Sequence, residues 1–255
     1  MYQKEDFKIT LPEKTYLENS AIIKNLGLKC TDLNDDFTDY WINGENSDSN
    51  SASIVNAYGQ IGSKSSDCSS GVRPVIKSKN LKEIVQSAQT KNEDNIKIID
   101  FGQWYSPNTV QLENPTDLKF TNRSYPIGEK NMGLEFESNK GRYVLFGDKF
   151  HPVIPIKWYY DEEEDLLLSK HSLFYSLRSP KLYNSNNITF SLFDILNNQV
   201  LPIILDSENS KKRDKSLSQE LSELLEKQER LNKMQAQLNE QIHTLTLKTK
   251  TYIQK

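Results

Sequence analysis

The chain has 255 residues, a formal net charge of −3 and a mean hydropathy of −0.69, with 36% hydrophobic and 26% charged residues. At roughly 100–200 residues per domain this is one large or two small domains, and no stretch reaches the roughly 18 apolar residues of a membrane helix, so no membrane association is expected. With 3 His and 2 Cys, most zinc, haem and thiol chemistries lack ligands, and a near-balanced charge is not that of a dedicated nucleic-acid binder.

Met1-Tyr2-Gln3-Lys4-Glu5-Asp6-Phe7 has no apolar h-region, so no signal peptide is expected. Cys30 and Cys68 show no C-x-x-C spacing, which points to reduced thiols and a cytoplasmic compartment. Residues 1–78 open with Ile22, Ile23, Leu26 and Leu28, an apolar group at helical spacing that Gly27 would terminate. After Tyr40-Trp41-Ile42, about two thirds of positions 43–70 are Ser, Asn, Asp, Gly or Tyr. Ala52-Ser53-Ile54-Val55-Asn56-Ala57-Tyr58 and Gly71-Val72-Arg73-Pro74-Val75-Ile76 are strand-like, so the tract is expected to be loops between short strands.

In residues 79–93, Leu81, Ile84, Val85 and Ala88 recur at helical spacing, which predicts a connecting helix. Residues 94–206 are mostly β: runs at 96–102, 141–147, 155–160 and 166–169 predict strands, the last two joined by the acidic turn Asp161-Glu162-Glu163-Glu164-Asp165. Five consecutive acids in a turn cannot converge on one cation, so a solvated turn is expected there. Phe190, Phe193 and Leu196 predict a helix over 188–196. Residues 207–215 are polar and end in Lys211-Lys212-Arg213-Asp214-Lys215, a linker signature.

Residues 216–253 carry a heptad. Leu217, Leu224, Leu231, Leu238, Leu245 and Tyr252 recur at sevens, with Leu221, Gln228, Gln235, Ile242 and Thr249 four residues on. Five heptads of helix span roughly 54 Å, which outlasts a groove on a small lobe. A coiled coil is therefore preferred over one amphipathic helix lying on the second lobe, with strand number and orientation open. Residues 211–255 hold 10 basic and 6 acidic residues, a net of +4; taken from −3, this leaves −7 for residues 1–210. The opposite signs favour self-association only weakly, because salt screens over about 10 Å.

Two sets of residues carry a resemblance. Tyr40-Trp41-Ile42-Asn43-Gly44, the polar tract with Val55 and Gly59, and Gly71-Val72-Arg73-Pro74-Val75-Ile76 resemble the closing half of bacterial C-type-lectin-like domains. Asp100-Phe101-Gly102-Gln103-Trp104, Tyr143-Val144, Pro155-Ile156-Lys157-Trp158, Asp161-Glu162 and Leu168-Ser169-Lys170 resemble a module that follows such a domain in proteins of Firmicutes and their phages. The resemblance covers roughly residues 8–206, patchily. It departs in the missing opening strands of the first lobe and in Gln103-Trp104-Tyr105, where E-Y-P is usual. Either the first lobe is truncated or the second supplies its missing strands. The fold class it implies is α+β, with C-type-lectin-like lobes of short antiparallel strands and loops followed by the coiled-coil helix.

In such a fold the loop-rich tract carries the binding surface, as loops on a rigid scaffold commonly do. Asn43, Asn46, Asp48, Asn50, Asn56, Tyr58, Ser65 and Asp67 are the candidate contacts, residue types that combine area with adaptable hydrogen bonding. The plain alternative is a solvated loop. Trp41 and Arg73 are expected to be structural. Catalysis would need Cys30 or Cys68 as nucleophile with His151 or His171 as base, in a spacing that matches no known arrangement. No phosphate-loop, dinucleotide or metalloprotease motif occurs. The sequence thus predicts a non-enzymatic binding protein with no cofactor and no metal, a protein partner, and homo-oligomers formed through the heptad residues. The alternative is a phage or mobile-element factor that binds a host protein through its C-terminal helix.

Overall fold

The polar, Gly-punctuated first third can sustain only short elements. The computed structural model describes residues 1–253 except 45–50, 89, 94, 113–116, 128–130 and 177–191, with the backbone alone for 127, 131 and 238–253. Strand β1 (Phe7–Thr10) leads to helices α1 (Lys14–Asn19) and α2 (Ala21–Leu26). The expected short helix is α2; α1 precedes it, and between them the Ser20 hydroxyl accepts the Ile23 N–H at 3.4 Å and starts a new helix. Gly27 at φ +74° ends it. Then follow β2 (Cys30–Asp32), β3 (Phe37–Thr38), β4 (Tyr40–Trp41), β5 (Ser51–Val55), β6 (Ile61–Ser65), β7 (Ser70–Val72) and β8 (Val75–Ser78). Pro74, which has no N–H for a ladder, separates β7 from β8.

Helix α3 (Leu81–Ser87) is shorter than the expected span, and Thr90–Glu93 runs as β9 against β10 (Ile96–Tyr105). Long strands follow: β11 (Lys119–Ile127), β12 (Asn131–Ser138), β13 (Gly141–Phe146) and β14 (Lys149–Asp161). Then come β15 (Leu166–Ser169), β16 (His171–Ser172) and β17 (Phe174–Ser176). Of the helix expected at 188–196, residues 188–191 lie outside the described residues. What is described is α4 (Leu192–Ile195), one π-helical turn (Leu196–Val200) and α5 (Leu201–Ile253). The wide turn immediately precedes Pro202, whose ring would clash with the carbonyl four residues back in a regular helix. The segment 207–215, expected as a linker, is part of α5; it contains no Gly or Pro to break the helix.

The chain forms two compact units, Met1–Glu208 and Asn209–Lys255. The first is a mixed α+β body dominated by antiparallel pairing. Among the described residues its largest sheet has nine strands, in the order β1-β8-β15-β14-β13-β12-β11 with β10 and β9 joined through β14. The others are β16-β2-β3 and β17-β7-β4-β5-β6. Residues from both sides of α3 share these sheets: β15 pairs with β8, β17 with β7, and β16 with β2. One core joins them as well. Trp41, Trp104 and Trp158 are fully buried, and their indole N–H groups donate to the carbonyls of Ser176 (2.7 Å), Leu173 (3.1 Å) and Phe101 (2.7 Å).

Within this body the first turns of α5 dock on β10. Gly102, at φ +75°, interrupts the β10–β14 register and donates its N–H to Glu208 Oε1 at 2.8 Å. Arg123 binds Asp206 at 2.6 Å and reaches Glu135, a fully buried carboxylate that also accepts the Tyr125 hydroxyl at 2.6 Å. The second unit is the remainder of α5.

Candidate functional site

The polar tract folds around the β5–β6 hairpin at the edge of the five-stranded sheet, with Ser51 opposite Ser65 and Val55 opposite Ile61. Its tight turn is made by one side chain: Asn56 Oδ1 accepts the N–H groups of Tyr58 (3.0 Å) and Gln60 (2.9 Å), and Gly59 takes φ +81°. Tyr58 sits at the tip, 80% exposed. At the other end the Ser65 carbonyl accepts the Cys68 N–H at 3.0 Å, and its hydroxyl meets the Asp67 N–H at 3.4 Å. Four residues of strand, about 13 Å, separate the two ends. The structure therefore brings Asn56 together with Tyr58, and Ser65 with Asp67, but does not join the two pairs. Asn43 is tied elsewhere: its N–H donates to the Pro12 carbonyl at 2.7 Å and its side-chain amide to Glu13 at 2.7 Å. Asn46, Asp48 and Asn50 lie outside the described residues.

Lys64 is the residue of this tract with a strong partner that sequence reasoning passed over. Its ammonium contacts Asp39 at 2.6 Å and the Ser69 carbonyl at 2.9 Å, which ties β6 to the body.

Behind the hairpin, the two stretches that carry the resemblance meet. Arg73 is buried between them, donating from Nε to the Ser169 carbonyl (2.9 Å) and from Nη1 to the Tyr40 hydroxyl (3.2 Å), with its guanidinium 5.2 Å from the Tyr40 ring centre. Cys30 is buried nearby; burial pushes its thiol pKa up, against the opposing pull of Arg73, and its Sγ faces the carbonyls of Thr31 and Lys170. His171 hydrogen-bonds Thr31 Oγ1 at 3.0 Å and His151 the Ser106 carbonyl at 2.9 Å. Cys68 is exposed. Of the acidic turn, Asp161 alone faces inward, accepting the hydroxyls of Ser20 (2.7 Å) and Tyr16 (3.2 Å), while Glu162, Glu163, Glu164 and Asp165 are exposed.

On α5 the heptad positions Leu217, Leu221, Leu224 and Leu231 are exposed at 62%, 59%, 60% and 55%. Gln228 and Gln235 are exposed between and beyond them. For Leu238, Ile242 and Leu245 only the helical backbone is described. Glu226 and Arg230 pair at 3.7 Å, the i,i+4 spacing of a solvated helix face.

Among the described residues no group of three His, Cys, Asp or Glu side chains is placed to hold a metal ion, and no helix is long and apolar enough to cross a membrane. Compared with protein-family models, curated proteins and solved structures, the chain matches none of them.

Proposed function

We propose that this chain is a non-enzymatic binding protein that multimerises through α5 and displays the polar β5–β6 hairpin on a body related to bacterial C-type-lectin-like domains. The observation that carries this reading is the leucine row of α5. Four heptad leucines each leave more than half of their surface in water, and burying such a side chain stabilises by about 1.5–3 kcal/mol. A second copy of the same helix offers the matching seam, because a seven-residue repeat packs best against another seven-residue repeat. Linking copies raises effective concentration at a partner, which suits a polar surface of modest affinity. The hairpin supports the display role: Asn56 holds its turn by two hydrogen bonds, so Tyr58 is presented on a defined scaffold. The lectin-like relation is supported by the meeting of β7–β8 with β14–β15 around Arg73.

The test is sedimentation equilibrium of the full chain beside the Leu224→Lys, Leu231→Lys double variant. An oligomer that the double variant dissociates supports the reading. A wild-type chain that stays monomeric at about 100 µM, a concentration at which weak coiled coils associate, overturns it.

A further inference from the structure

A pocket of about 320 Å³ opens beside the turn after β2, and its lining comes from three separate stretches: residues 32–34, Tyr105 with Pro107, and residues 172–175. Its walls are apolar and aromatic, chiefly Leu33, Pro107, Tyr105, Phe174 and Tyr175. They are held firmly. Phe174 and Tyr105 both stack on the buried Trp104, at ring-centre distances of 5.8 and 5.6 Å, and the Trp104 N–H is fixed on the Leu173 carbonyl.

Against these rings stands one carboxylate. Asp32 Oδ1 accepts the backbone N–H groups of Asn34 (2.8 Å) and Asp36 (3.2 Å), which close a turn that places Asp35 at φ +65°. The Tyr175 hydroxyl lies 3.3 Å from the other Asp32 oxygen, Oδ2, and 2.9 Å from Thr38 Oγ1, and its one proton is shared between these two acceptors. All the partners of Asp32 are neutral: among the described residues no Lys, Arg or His makes an ion pair with it. Asp35 and Asp36 lie on the same turn and add to the negative field. Burial pushes the Tyr175 phenol pKa up, with the Thr38 hydrogen bond opposing and Asp32 adding to the rise.

We propose that this pocket binds a primary alkylammonium group carried on an apolar body, the ammonium donating to Asp32 and the body lying against Tyr105 and Phe174. The chemistry fits on three counts. An unpaired carboxylate with a free lone pair accepts an ammonium N–H more strongly than any neutral donor. Aromatic faces within about 6 Å attract a cation further. An apolar pocket with one oriented polar group is the usual form of a small-ligand site. A free arylalkylamine and a lysine side chain of a peptide share this chemistry.

The test is isothermal titration of the full-length chain at low salt with three probes: phenethylammonium chloride, its neutral isostere 2-phenylethanol, and Nα-acetyl-lysine amide. Phenethylammonium is expected to bind at about 1 mM or tighter, at least roughly tenfold more tightly than the alcohol. If acetyl-lysine amide binds better than the amine, the peptide is the source; the reverse assigns a free amine. Asp32→Asn keeps an acceptor for both backbone N–H groups, so the fold is retained while the preference for amine over alcohol is expected to vanish. Equal binding of amine and alcohol, no binding of either cation, or an unchanged preference in a folded Asp32→Asn variant each overturns the proposal. None of these outcomes depends on the state of α5, so the oligomer reading stands or falls separately.

Discussion

Removing the Arg73 side chain tests how the body is held together. Arg73 is buried where β7 gives way to β8, and it donates to the Ser169 carbonyl on β15 and to the Tyr40 hydroxyl on β4. No carboxylate among the described residues makes an ion pair with it. Hydrogen bonds from a charged donor contribute about 1.5–3 kcal/mol each, and the desolvation of the unpaired guanidinium offsets part of that. Truncation to Ala also opens a cavity in a packed region, which costs about 2–5 kcal/mol for a large side chain, and leaves the Ser169 carbonyl idle. Arg73→Ala is therefore expected to destabilise by about 3–5 kcal/mol. Arg73→Met keeps most of the volume and removes the buried charge. Tyr40 still donates to the Leu28 carbonyl at 2.9 Å, so the main loss is one idle carbonyl, about 1–2 kcal/mol. Urea unfolding followed by tryptophan fluorescence reports both, because all three indoles are buried in the same core. An Arg73→Ala variant within about 1 kcal/mol of the parent at equal m-value refutes the reasoning. So does an Arg73→Met variant as unstable as Arg73→Ala.

Two further outcomes are expected. In Gly102→Ala, the new Cβ would lie 2.6 Å from Ile204 Cγ2 at a backbone φ of +75°; left-handed strain and overpacking together should cost about 2–4 kcal/mol, and an unchanged melting temperature would show that α5 docks less tightly than described. Burial holds the His171 pKa below its ordinary value, partly opposed by Asp35. The unfolded chain therefore takes up this proton first as pH falls: the stability is full above about pH 6.5 and declines below it. Denaturant midpoints from pH 7.5 to 5.5 should show that decline in the parent and a shallower one in His171→Gln, and identical slopes would remove His171 as the cause.

Much of the architecture was legible in residue order. Apolar and aromatic runs marked β13, the second half of β14 and β15. The run at 52–58, expected as strand, stops at Val55, where Asn56 and Gly59 make a turn. The heptad identified the C-terminal helix without any tertiary information, because a seven-residue period is a property of one helix. The start of that helix was less legible: 207–215 looked like a linker on charge and polarity, although its residues are good helix formers. The distribution of the polar tract was also hidden. Of the candidate contacts chosen by residue type, the hairpin sets Asn56 and Tyr58 at one end and Ser65 and Asp67 at the other, since side-chain type does not encode which end of a strand a residue occupies.

The sequence by itself determined the strand runs at 141–147, 155–160 and 166–169 and the heptad leucine row, which follow from local pattern. Only the tertiary structure decided that residues on both sides of α3 share sheets and one core, because β8–β15 and β7–β17 are pairings between distant segments. It alone also placed Asp32, Tyr105 and Tyr175 around one pocket. A carboxylate from a tight turn, the end of a long strand and a three-residue strand carry no common spacing, and only the packing of Trp104 beneath them makes them neighbours.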